Sequence, residues 1–88
     1  MKTIEVDALT DQGNYAVIRL PDRKHPGVVF QGDSLSILVA NLRKSRAKLQ
    51  EGDHDDGIGW LDLVLDDLEA VQRKYEAALT EHSISLPY

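Results

Sequence analysis

No cysteine occurs among the 88 residues, which excludes disulfides, thiolate metal sites and cysteine nucleophiles together. No apolar run approaches the roughly 20 residues that a membrane-spanning helix needs. Carboxylates at Glu5 and Asp7 interrupt the segment where an export signal would be continuously apolar, so a cytoplasmic, bacterial-type domain is expected. Aromatic side chains are few. None interleaves the basic run Arg43-Lys44-Ser45-Arg46-Ala47-Lys48 to stack on bases, which argues against direct nucleic-acid binding. The most informative absence lies between Glu51 and Glu69, where there is no lysine or arginine.

That stretch instead carries eight carboxylates: Glu51, Asp53, Asp55, Asp56, Asp62, Asp66, Asp67 and Glu69. The formal charge of the whole chain is −5, so the acidity is a local field rather than a property of the entire surface. Such a field repels nucleic acid and membranes and attracts basic proteins or cations. It points to a partner rather than a reaction.

The length predicts one small domain over residues 1–88 with a single modest core. Its first half reads as strands. Ile4, Val6 and Ala8 alternate with Glu5 and Asp7, the period-two pattern of a half-buried strand. Turn formers at Thr10-Asp11-Gln12-Gly13-Asn14 reverse the chain. A second strand, Tyr15 to Leu20, has Ala16, Ile18 and Leu20 on one face and Tyr15, Val17 and Arg19 on the other. Pro21 and Pro26 bracket a basic loop, and Val28-Val29-Phe30-Gln31 forms a third short strand. The period then changes. Gly32-Asp33-Ser34 opens a helix carrying Leu35, Leu38, Val39, Leu42 and Leu49, which Gly52 ends. After a loop from Glu51 to Gly59, a second helix spans about residues 58–81, with one apolar stripe from Trp60 to Leu79. The expected fold is α+β, a three-stranded antiparallel β-meander followed by two helices (βββαα).

Candidate chemistry is sparse. Asp53-His54-Asp55-Asp56-Gly57 resembles an EF-hand start, but Gly57 falls at the fifth position instead of the sixth and Val64 at the twelfth, so the calcium register fails. Asp55 or Asp56 is better explained as a helix cap. His25, His54 and His82 show no helical metal-site spacing, and no strand–elbow context surrounds Ser34. No metal, cofactor or catalytic residue is assigned, and the chain reads as a non-enzyme. The candidate partner-binding residues are Asp53, Asp55, Asp56, Asp62, Asp66 and Glu69, with Trp60 as an apolar anchor. The plain alternatives are a solvated helix face and a core tryptophan.

From Gly13 to Asn41 the order of residues resembles the HicB-type antitoxins. The matching run is Tyr15 to Pro21-Asp22, then Pro26-Gly27, Val28 to Gln31 and Gly32-Asp33-Ser34, with Asn41 in the following helix. The chain departs from that pattern in a longer loop before Pro26, in Ser34 for threonine, and in Leu35-Ser36-Ile37 for an acidic run. As a whole it also resembles small acidic bacterial immunity-type proteins. Both resemblances imply a protein that blocks a toxic enzyme. The leading expectation is therefore stoichiometric binding of a cognate basic toxin, such as a nuclease, whose phosphate-holding cleft suits a carboxylate array. The other expectation is a self-associating module, a homodimer through a sheet face offering Tyr15, Val17 and Phe30.

Overall fold

In a computed structural model that describes residues 1–88, the chain forms strands β1 (Asp7–Ala8), β2 (Tyr15–Arg19) and β3 (Gly27–Phe30), then helices α1 (Gly32–Gln50) and α2 (His54–Glu81). The expected three-stranded antiparallel sheet followed by two helices is present, in strand order β1-β2-β3. Two compact units make up the chain: residues 1–31 with 72–88, and residues 32–71. Helix α2 contributes to both.

In the first unit, β2 is the central strand. Tyr15 to Ile18 pair with Phe30 to Gly27, and Arg19 and Ile18 pair with Asp7 and Ala8. The expected N-terminal strand shrinks to two residues, and Ile4 and Val6 are exposed. Alternation alone did not hold that segment, because only two residues of β2 pair with it. Pro21 and Asp22 make a tight turn in which the Arg23 amide donates to the Leu20 carbonyl at 3.3 Å and Asp22 has φ 62°. Proline followed by a positive-φ residue is the signature of a type II turn.

The core of this unit gathers Leu9, Val17, Tyr75, Ala78 and Leu79, with Val28 and Ile84 packed against it. Its helical contribution comes from the last turns of α2. Val17 is 1% exposed and Leu79 0%. The sheet face that carries Val17 is therefore the covered one, and it is not available for the self-association expected of Tyr15, Val17 and Phe30. Tyr15 and Phe30 instead stack edge to face across the β2–β3 pair, 5.1 Å between centroids. Three side-chain bonds fasten α2 and the residue after it to the strand region. Lys74 Nζ donates to the Tyr15 carbonyl (2.6 Å), the Tyr75 hydroxyl to the Pro26 carbonyl (2.8 Å), and His82 Nε2 to the Leu9 carbonyl (3.1 Å).

Burial pushes the Tyr75 phenol above its ordinary value, and charge on Tyr88 pushes in the same direction. The folded-state pKa thus exceeds the unfolded one. The associated stability is complete below the unfolded value of about 10 and is lost as pH rises through the folded value. Tyr75→Phe is expected to remove this alkaline loss. At neutral pH it should cost about 1–3 kcal/mol, because the buried Pro26 carbonyl loses its donor. Urea melts at neutral pH and above pH ~10 read both effects.

The second unit is an αα-hairpin. Gly52, at φ 85°, terminates α1: its amide donates to the Leu49 carbonyl at 3.1 Å and the Asp53 amide to Lys48 at 2.9 Å. This pair of bonds is a Schellman motif, which favours glycine at the left-handed position. Asp53 then accepts from the Asp56 amide at 3.2 Å and caps α2. The loop expected to run to Gly59 is only residues 51–53, and α2 begins at His54. So short a connection makes the two helices antiparallel neighbours. Where they meet, the buried Ser45 hydroxyl donates to the Gly57 carbonyl at 2.7 Å. A Cβ on Gly57 would lie 2.6 Å from Leu49 Cδ2. Gly57 therefore marks close helix contact rather than a loop.

Candidate functional site

Because α2 turns about 100° per residue, the acidic block divides among its faces. Asp55, Asp62, Asp66 and Glu69 fall on one ridge, and all are exposed. Asp56 and Asp67 lie on a different side of the helix, also exposed. Asp53 is partly buried as the cap, and Glu51 sits 3.5 Å from Lys48 across exposed surface. An exposed pair of that kind contributes about 0–1 kcal/mol. The structure thus brings together four of the six predicted carboxylates and leaves Asp53 and Asp56 off the ridge.

Trp60 is half-buried, and Lys44 Nζ stands 4.5 Å from its ring centroid. A cation over an indole face is attracted by the ring quadrupole and contributes about 0.5–1 kcal/mol at a partly exposed site. By helical position Trp60 lies on the far side of α2 from the acidic ridge. The apolar side chains that border the ridge are Leu61, Leu65 and Ile58, each at least 40% exposed. Leu61 and Leu65 were expected to belong to one stripe with Val64 and Val71. Only Val64 (2%) and Val71 (8%) are buried between Trp60 and Gln72.

The same division appears on α1. Leu38, Asn41 and Ser45 form its buried row, while Leu35, Val39, Leu42 and Leu49 are 37–50% exposed. Each helix thus carries a covered row, which on α1 includes the polar Asn41 and Ser45, and an uncovered aliphatic row. Sequence periodicity reports how wide an apolar face is, but not how much of it a neighbour covers. The exposed row was legible as part of the stripe; its exposure was not.

His54, Asp55 and Asp56 occupy the first turn of α2, and no three histidine, aspartate or glutamate side chains converge as a metal site. No helix is long and apolar enough to cross a membrane. The chain belongs to a family of unknown function, DUF6959, whose match runs over residues 1–88. No curated protein and no solved structure matches it.

Proposed function

We propose that this domain acts by stoichiometric protein binding rather than catalysis, as a toxin-neutralising protein of the immunity or antitoxin-like kind in the cytoplasm. The observation that carries this reading is the ridge Asp55, Asp62, Asp66 and Glu69, exposed on α2 beside uncovered Leu61 and Leu65. A row of one charge beside exposed leucines has the make-up of a polar rim next to an apolar contact. The charge steers a basic partner and the leucines supply desolvated area. A nuclease cleft that holds phosphates is one such partner surface. The segment resembling HicB-type antitoxins supports the same class: residues 13–41 form two paired strands and then the start of a helix.

Capture of the tagged protein from its native host at low and high salt identifies the partner. Combined substitution of Asp55→Asn and Asp66→Lys is expected to weaken that complex at least about tenfold at moderate salt, through slower association. The variant should keep the parent's circular dichroism. A variant that binds as tightly as the parent would remove the acidic ridge from the interface.

A further inference from the structure

The uncovered rows of α1 and α2 lie on one side of the hairpin. Viewed from its N-terminus, the exposed row of α1 is displaced about 90° from the buried row in the direction the chain turns. In α2 the displacement is about 80° in the same sense. Because the helices are antiparallel, equal displacements bring both rows to the same side. Eight aliphatic side chains, each 37–50% exposed, therefore form a single face, interrupted on α1 by Arg46 between Leu42 and Leu49. A shallow groove lined by Val39, Leu42, Arg43 and Arg46 lies on it.

We propose that this face binds a second copy of the chain, so that two hairpins form a four-helix bundle. Three features select that occupant. The first is area. From their fractional exposures the eight residues leave at most about 600 Å² per copy, so complete burial in two copies would total about 1,200 Å², the lower end of specific interfaces. The second is size. Residues 32–71 bury only Leu38, Val64 and Val71 as large apolar side chains. Units of about 40 residues commonly need oligomerisation to complete a core. In a four-helix bundle each helix contacts two neighbours, which gives the uncovered aliphatic row of each helix a second surface to pack against.

The third feature is charge. Arg43 lies at the outer rim of the α1 row, with Arg46 inside that row between Leu42 and Leu49, and Asp62 and Glu69 lie at the outer rim of the α2 row. Lys44 meets Trp60 and Ser45 meets Gly57, so Arg43 stands about level with Asp62 along the hairpin. A two-fold axis parallel to the helices lays α1 of one copy on α2 of the other and preserves that level. Each Arg43 then faces Asp62 of the second copy. An axis across the helices would instead stack arginine rim on arginine rim and acidic rim on acidic rim. Charge thus selects the alternating arrangement. This bundle leaves Asp55 and Asp66 outside the apolar contact but covers Leu61 and Leu65, so the dimer and a toxin complex compete for those leucines; the dimer itself does not depend on the toxin-neutralising reading.

Sedimentation equilibrium of the purified full chain, without any partner, tests the proposal. The expected mass is twice the 9.8 kDa of one chain. Leu42→Glu with Leu65→Glu should give a monomer that retains the sheet-and-helix circular dichroism. Arg43→Asp alone and Asp62→Arg alone should each weaken dimerisation about tenfold or more, and the two together should restore it. A parent that stays monomeric at its highest soluble concentration overturns the proposal. So does an oligomer that survives the paired glutamates. Failure of the charge exchange to restore association, with the leucine variant monomeric, overturns the alternating arrangement.

Discussion

Leu79→Ala is expected to cost about 2–5 kcal/mol of folding stability, a large part of the total for a domain of this size. Leu79 is 0% exposed and packs with Leu9, Val17, Tyr75 and Ala78. Truncation removes its transfer free energy and leaves a cavity between β2 and the last turns of α2, whose neighbours are themselves tied by backbone bonds. The Ile84 amide also donates to the Leu79 carbonyl at 2.9 Å and Ser83 to Thr80 at 3.1 Å, closing the helix over the core. Chemical denaturation of the parent and the variant measures the change. Leu63→Ala serves as the control, because Leu63 is 45% exposed and surface changes stay within about 0.5 kcal/mol. Equal losses at the two positions would contradict the assigned core.

Gly57→Val is the second large effect, with an expected loss of about 3 kcal/mol or more. An added Cβ would sit 2.6 Å from Leu49 Cδ2, 2.7 Å from Leu49 Cγ and 3.3 Å from the Leu49 backbone nitrogen. The leucine tip can rotate, but the backbone cannot move without separating the helices. Separation also breaks the bond from Ser45 to the Gly57 carbonyl, which is buried. Gly57→Ala should be milder, because alanine recovers about 1 kcal/mol of helix propensity against the same clash. Pairing Gly57→Ala with Leu49→Ala should then recover stability relative to Gly57→Ala alone, a coupling that a double-mutant cycle measures. Absence of that coupling would mean that the two helices do not approach at Gly57.

These two sites mark where local pattern was and was not enough. Helix α1 and the body of α2 follow from leucines at helical spacing, and Gly52 marks the end of the first helix because only a left-handed residue suits its closing bonds. Strand β2 follows from alternation between turn formers. Gly57 and Gly59 looked like loop residues, because a glycine in a helix costs about 0.5–1 kcal/mol relative to alanine. Close contact with Leu49 is a reason for glycine at 57, and it comes from a residue eight positions away in another helix. No local window contains it.

The acidic residues divide in the same way. Their number and sign are properties of the sequence, and so is the field they create. That Asp62, Asp66 and Glu69 share one face follows from their spacing in a helix from about residue 58; that Asp55 joins them and Asp53 is the cap required the true start of α2 at His54.

By itself the sequence determined the succession of three strands and two helices, because backbone periodicity and chain-reversing residues act over a few positions. Only the tertiary structure decided which side of each element is covered. It placed Val17 inside and left Val29 43% exposed, reduced the first strand to Asp7–Ala8, and left one leucine row of each helix uncovered. Burial depends on distant surfaces meeting, and an alternating or helical pattern offers its faces without specifying the neighbour that covers them.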